Sequence, residues 1–270
     1  MRSRKIAVIG AGVMGAGIAQ AFCQSGFSVR LYSRQRSRLD SALDLIKSRQ
    51  EELIRNGGIT RRTADRALAR VETTTSLRDA IQDADLVSEN IAENLSAKKA
   101  LYRQLGVLPE TVILATNTSS LPLTALSSAV RHPERFVGMH WMNPAHVMPI
   151  VEIIRAPATS DATVQATSEI TRRAGKSPIL LNKDIPGFVV NRLQYALFRE
   201  AFFLVQKGVI DPAGIDDAIK DGLGLRWVVS GPFEHMDLSG LKLVESVATS
   251  LFKQLDRASV SPPMLRALVD

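Results

Sequence analysis

Two hydrophobic periods divide the chain. Ile6, Ala7, Val8 and Ile9 form a short uninterrupted apolar run, the pattern of a strand buried on both faces. A helix-like segment follows through Phe22 and Cys23, and a second strand-like run covers residues 27–32. Over residues 39–55 the apolar positions Leu39, Leu43, Ile46 and Leu53 recur at helical spacing and stop at Asn56-Gly57-Gly58. A further helix is predicted over 60–69. Strands are predicted over 71–74, 86–87 and 112–115, with helical stretches at 76–82 and 95–105 between them. Farther on, residues 150–154 are apolar except for Glu152, residues 159–174 read as a helix and residues 178–181 as a strand. Strands alternating with helices over short connections predict an α/β fold with a parallel, doubly wound sheet.

From Lys183 the character changes. Residues 187–205 carry Phe188, Val189, Leu193, Tyr195, Leu197, Phe198, Phe202 and Phe203 on almost every side, which predicts a buried helix. More helical segments follow Asp211-Pro212 and Gly231-Pro232, and another covers 240–255. We therefore expect a doubly wound domain over residues 1–182 and a smaller all-α domain over 183–270 that carries substrate and dimer contacts.

The turn after the first strand reads Gly10-Ala11-Gly12-Val13-Met14-Gly15, the G-x-G-x-x-G spacing. The first glycine permits a tight turn, and the second lets backbone approach a pyrophosphate. The third lets helix and strand pack closely, with helix N–H groups facing the anion. Val13 and Met14 lie in the same turn. A strand before it, a helix after it and a second strand at 27–32 make this a dinucleotide site in a Rossmann-type sheet. The end of the second strand should meet the adenosine ribose, where an NAD-binding unit places a carboxylate against the 2′-hydroxyl. Here Ser33-Arg34-Gln35-Arg36-Ser37-Arg38 precedes the first carboxylate, Asp40. A serine followed by arginines suits a 2′-phosphate, so NAD and NADP both stand as cofactors; alternatively Arg36 and Arg38 merely begin a solvated helix. Two further segments lie at strand ends, where ligands gather in such a sheet: Glu89-Asn90-Ile91-Ala92-Glu93-Asn94-Leu95 and Thr116-Asn117-Thr118-Ser119-Ser120.

Composition narrows the partners. A chain of 270 residues, 45% hydrophobic, can bury a full core. The formal net charge is +7, but arginines are scattered and aromatics are only 5%, which favours an anionic cofactor or metabolite over nucleic acid. No apolar run approaches the roughly 18 residues needed to span a bilayer, and no signal peptide precedes the first strand, so no membrane association is expected. Cys23 is the single cysteine, which excludes a disulfide framework or a thiol-rich metal site and suits a reducing cytoplasm. Arg61, Arg62, Arg66 and Arg70 form either a solvated face or contacts to phosphates of a bulky substrate tail.

Glu152 interrupts an apolar strand, where a carboxylate has to be paired to be buried. Such a group is suited to orient an imidazole and stabilise its protonated form, which makes His140 the candidate base and Glu152 its orienting partner. His132, His146 and His235 show no comparable arrangement and read as structural.

Together these motifs resemble the short-chain L-3-hydroxyacyl-CoA dehydrogenases, including 3-hydroxybutyryl-CoA dehydrogenases and relatives acting on small hydroxy acids. The matching segments are residues 9–17, Glu93-Asn94-Leu95, Asn117-Thr118-Ser119-Ser120-Leu121 and Gly138-Met139-His140-Trp141-Met142-Asn143-Pro144. Val151-Glu152, residues 184–192 and Gly231-Pro232-Phe233-Glu234 continue the family's order across nearly the whole chain. The resemblance implies an NAD(P)-dependent oxidoreductase that interconverts an L-3-hydroxyacyl-CoA and its 3-oxoacyl-CoA. It implies that His140 takes the 3-hydroxyl proton while hydride passes to the nicotinamide, and that Glu152 orients His140. It further implies that Ser119 and Asn191 hydrogen-bond the substrate oxygen, that Glu93, Lys98 and Asn143 contact the cofactor, and that the chain forms a homodimer.

Four departures qualify what carries over. Ser33 replaces the family's ribose aspartate, and Trp141 stands where CoA-using members have phenylalanine. The link Gly224-Leu225-Arg226-Trp227-Val228-Val229-Ser230 is longer than usual. The family also continues past Asp270 into a tail with a glycine-rich, aromatic closing motif and a cofactor-contacting lysine. Arg226 is either a clamp for a substrate carboxylate, as in a dehydrogenase of a small non-CoA hydroxy acid, or a surface residue at a helix end. The 3-hydroxyisobutyrate and 6-phosphogluconate dehydrogenases share the glycine loop but use a catalytic lysine, against which His140, Asn143-Pro144 and Glu152 stand. A non-catalytic, crystallin-like cofactor-binding protein is the alternative from another class, disfavoured by the retained His140, Glu152, Ser119 and Asn191.

Overall fold

A computed structural model describes residues 4–267. The chain divides into two compact units, Met1–Phe188 and Val189–Asp270. The first unit is built on one eight-stranded sheet in the order β3-β2-β1-β4-β5-β6-β7-β8. Its strands are β1 (Lys5–Ile9), β2 (Ser28–Tyr32), β3 (Val71–Thr74), β4 (Leu86–Glu89), β5 (Ile113–Thr116), β6 (Phe136–Trp141), β7 (Ile150–Arg155) and β8 (Ser177–Leu181). The helices that join them include α1 (Val13–Gln24), α2 (Arg36–Arg55), α3 (Arg61–Leu68), α4 (Leu77–Ile81), α5 (Leu95–Gln104), α6 (Leu123–Ser127) and α7 (Asp161–Arg173).

Alternate residues of each strand enter different cores, as the two-residue period of a pleated strand requires. Ile6 and Val8 pack on one face with Leu31, Val137, Phe22 of α1 and Ile46 of α2. Ala7 and Ile9 pack on the other with Val87, Leu114, Tyr102 of α5 and Leu126 of α6. With both faces covered, the strands need no polar side, which is why β1 reads as a continuous apolar run. Helix starts are set by capping side chains. The oxygens of Thr60, Ser76, Asn94 and Ser160 each accept the N–H three residues on, satisfying a donor the helix leaves open.

The sheet departs from the all-parallel expectation at one place. β6 and β7 are antiparallel, while every other neighbouring pair is parallel. The connection over residues 142–149 is too short for a crossover helix, so the chain turns back beside the strand it has just left. Order reverses between β1 and β4, which puts the crevice for a ligand at their carboxyl ends.

The second unit holds α8 (Val190–Gln206), α9 (Pro212–Asp217), a π-helix over Ala218–Gly224, α10 (Leu225–Val229), α11 (Pro232–Ser239) and α12 (Leu241–Leu251). The buried helix expected over 187–205 is corrected here. α8 starts at Val190 and none of its residues is buried; Leu193 is 64% and Tyr195 68% exposed. A unit this small has too little interior to enclose a helix that is apolar on most sides. Phe188 belongs to the first unit, where it is buried. Among the described residues no helix is long and apolar enough to cross a membrane.

Candidate active site

The glycine turn between β1 and α1 is fixed by neighbours that leave no space for side chains. Gly10 lies at φ +109° and donates its N–H to the Tyr32 carbonyl at 2.9 Å. A Cβ at Gly10 would stand 2.5 Å from the Asn90 carbonyl oxygen, and one at Gly15 only 1.8 Å from the Gly10 oxygen. Around Gly12 the space is open, with nothing within 4 Å of where a Cβ would be. Gly12 is the N-cap of α1, makes no side-chain cap and is followed by no acidic residue in the first turn. The first N–H groups of α1 are thus left for an anion. Beside them lies a cleft of about 310 Å³ lined by Gly12, Val13, Ser37, Arg38 and Ser41. At the β1–β4 crevice the buried Asn90 Oδ1 has no hydrogen-bond partner, an acceptor waiting for a hydroxyl or amide donor. Open helix donors, a glycine cradle and this orphaned acceptor fit a dinucleotide.

Ser33 follows β2, and its Oγ accepts the Gln35 N–H at 3.3 Å. Arg34 is exposed, and Arg36 opens α2 in an exposed pair with Asp40 at 3.2 Å. Arg38, which entered the sequence reading only as part of an arginine run, is the one that lines the cleft.

At the ends of β4 and β5 the acidic and serine segments meet. Glu93 Oε1 accepts the N–H groups of Ser119 and Ser120, both at 2.9 Å, and the hydroxyls of Thr118 and Ser120. Partial burial pushes the Glu93 carboxyl up, but these donors and the Lys98 ammonium outweigh it and hold it below the usual carboxylate range. Lys98 is buried, 1% exposed, and pairs with Glu89 Oε1 at 2.7 Å. Glu89 heads the acidic segment expected at a strand end, and like Glu152 it is a fully buried strand carboxylate that needs partners. Asn117, in the expected strand-end segment, ties the strands together by accepting the Trp141 N–H at 2.9 Å.

His140 and Glu152 stand directly opposite each other on the antiparallel strands β6 and β7, so both side chains leave the same face of the sheet. His140 Nδ1 lies 2.7 Å from Glu152 Oε2, and Glu152 is fully buried. The carboxylate accepts a hydrogen bond from Nδ1–H, which leaves Nε2 as the basic nitrogen, with no hydrogen-bond partner among the described residues. Phe188 packs on the imidazole, its ring centroid 5.2 Å away. It does so at φ +50°, a costly conformation for a bulky residue, directly after Gly187 at φ +80°. Asn143 lies exposed in the turn after β6.

Asn191 and Arg226 belong to the second unit, on α8 and α10. Arg226 Nη1 approaches His235 Nε2 at 3.3 Å, and Ser239 Oγ reaches the same nitrogen at 3.3 Å. Cys23 is buried, and burial pushes its thiol up to about 12, so it is unreactive.

Residues 5–185 match the 3-hydroxyacyl-CoA dehydrogenase NAD-binding domain, and residues 187–270 match that family's C-terminal domain. The chain belongs to the 3-hydroxyacyl-CoA dehydrogenase family. It is an oxidoreductase of that kind, acting on a CH–OH group, with the Rossmann-type sheet and helical C-terminal domain of the family. A 5-formyl-3-hydroxy-2-methylpyridine 4-carboxylate 5-dehydrogenase of Mesorhizobium japonicum is 38% identical over 97% of this chain and 84% of its own. A probable 3-hydroxybutyryl-CoA dehydrogenase of Deinococcus radiodurans is 41% identical over 98% and 94%. A crystal structure of a 5-formyl-3-hydroxy-2-methylpyridine 4-carboxylic acid 5-dehydrogenase, an NAD+-dependent dismutase, superimposes with TM-score 0.89. It is 35% identical and covers 99% of this chain and 86% of that one.

Proposed function

We propose that this dehydrogenase interconverts an L-3-hydroxyacyl-CoA and its 3-oxoacyl-CoA, with His140 as general base. The observation that carries the reading is the 2.7 Å bond from His140 Nδ1 to a fully buried Glu152, which leaves Nε2 to take the hydroxyl proton. Bound in the glycine cradle, the nicotinamide supplies hydride acceptance and donation. Glu152 stabilises the imidazolium as it forms, and Ser119 and Asn191 hydrogen-bond the substrate oxygen. Phe188 covers one face of the ring and keeps water from it. Gly10, Gly12, Val13, Met14, Gly15, Glu93 and Asn143 form the cofactor side of the site.

A second reading has a specific observation behind it. Among the described residues no carboxylate pairs with Arg226, whose recorded partner is an imidazole. The pyridine-carboxylate dehydrogenase is among the nearest relatives, which supports a small carboxylated hydroxy substrate held by Arg226. Wild type and Arg226→Ala are to be assayed with 3-hydroxyacyl-CoA esters and free hydroxy acids. A clamp loses roughly 1.5–3 kcal/mol of carboxylate binding in the variant, the range for a charge-assisted bond. A wild type that prefers the CoA ester, with the variant unchanged, assigns the first reading.

For the cofactor we propose that NADP is accepted at least comparably with NAD. Ser33 lacks the charge that would repel a 2′-phosphate, Arg38 supplies donors at the cleft, and the exposed Arg34 follows Ser33 directly. Arg36 is engaged with Asp40 and drops out of this set. Ser33→Asp is expected to shift preference toward NAD. A wild type that does not turn over NADP, or a variant that keeps it equally, contradicts the proposal.

The helical unit is proposed to join two copies of the chain. α8 leaves Leu193 and Tyr195 exposed, and Phe233 and Leu238 of α11 are each 79% exposed, an apolar surface too large for a lone helical unit. Light scattering at micromolar concentration should report a dimer; a monomer there refutes it.

A further inference from the structure

We infer that Glu89 is a positioning residue for the reaction, acting through Lys98 and Glu93 on the loop that presents Ser119. The inference rests on the reading that Ser119 meets the substrate oxygen.

Glu89 ends β4 fully buried, and both of its oxygens are occupied. Oε1 accepts from Lys98 Nζ at 2.7 Å and from the Ile91 N–H at 2.8 Å. Oε2 accepts from the Tyr102 hydroxyl at 2.7 Å and from Thr116 Oγ1 at 2.8 Å. Burial and the facing Glu89 push the Tyr102 hydroxyl well up, so it stays a donor. Four donors on one carboxylate, contributed by β5, α5 and the turn after β4, leave it no freedom to move.

Lys98 transmits that rigidity. Its Nζ has three protein oxygens around it: Glu89 Oε1, the Ile91 carbonyl at 3.4 Å and Glu93 Oε2 at 3.5 Å. With the side chain 1% exposed, the ammonium is fully engaged inside the protein. Glu93 in turn holds the backbone N–H groups of Ser119 and Ser120, while Ser119 Oγ itself has no hydrogen-bond partner among the described residues. The loop is therefore gripped by its backbone and presents its hydroxyl outward. If Glu89 loses its charge, Lys98 is left with Glu93 as its one counter-ion. The ammonium then draws the Glu93 carboxylate off the serine loop, because a buried charge does not stay uncompensated.

The test uses Glu89→Gln, which keeps size and removes charge, measured alone and in a Ser119→Ala background. Expected is a fall in kcat of roughly 10–100-fold, the scale of a small misplacement of a reacting group, larger than the change in NADH affinity that moving Glu93 brings in a fluorescence titration. In the Ser119→Ala background the same change should cost nothing further. A purely structural role would instead give equal losses in both backgrounds, and that result overturns the inference. So does a wild-type kcat, or a loss confined to NADH affinity. Should Glu89→Gln fail to fold, Tyr102→Phe removes one of the four donors, keeps the ring and enters the same cycle with the same criteria. Failure of the underlying reading is separable: it shows as a Ser119→Ala enzyme with normal turnover, whatever Glu89→Gln does.

Discussion

Replacing His140 with alanine is expected to lower turnover by about 100-fold or more while leaving cofactor affinity nearly intact. The side chain is a poor candidate for a purely structural role, because only Nδ1 is engaged and Nε2 has no partner among the described residues. Its removal takes away the proton acceptor without touching the glycine turn, which lies on other strands. Glu152→Gln should also lose activity, since the amide cannot offset the charge that the imidazole acquires in a buried place. Steady-state kinetics with NADH titration check both. A His140→Ala enzyme with near-normal turnover would remove the general base from the scheme.

Gly15→Ala is expected to have the opposite signature, with cofactor binding lost and the fold weakened. The added methyl would stand 1.8 Å from the Gly10 carbonyl oxygen, a backbone atom that no rotamer change can move aside. Overpacking of this kind costs about 1–3 kcal/mol, and here the strain falls on the turn that faces the pyrophosphate. Gly12→Ala is the control for the fold: its methyl meets nothing within 4 Å in the protein and projects beside the cleft. Calorimetry for stability and titration for NADH separate the two. Gly15→Ala with unaltered melting and affinity would mean that the turn repacks freely.

Much of this is legible in the sequence. The glycine spacing and the apolar run at 6–9 specify β1, the turn and α1 together, because each supports the same local geometry. His140 and Glu152 were legible as chemistry, since a carboxylate inside an apolar strand requires a partner, but their contact depends on strand register, which no single segment encodes. The antiparallel step was hidden because a short connection looks alike whether the next strand runs forward or back. Glu89 is legible only as the head of a strand-end acidic segment, because its ties to Lys98, Tyr102 and Thr116 depend on how β4, α5 and β5 pack. Lys98 is legible as a motif position, whereas its burial and its pairing with Glu89 are not. In α8 the apolar composition suggests burial, yet it says only that a face needs covering, and not that the same chain covers it.

The antiparallel pair also has a bearing on what the turn can change. His140 and Glu152 are held by ladders on both outer sides, β5 against β6 and β8 against β7, so the turn over residues 142–149 does not set their separation. Lengthening or exchanging that turn leaves the proton machinery aligned, whereas deleting one residue within either strand sends its side chain to the wrong face. The turn, which carries Asn143 of the cofactor side, is therefore mechanically separate from the pair that moves the proton. A change in the turn is thus expected to act on the cofactor and not on the proton transfer.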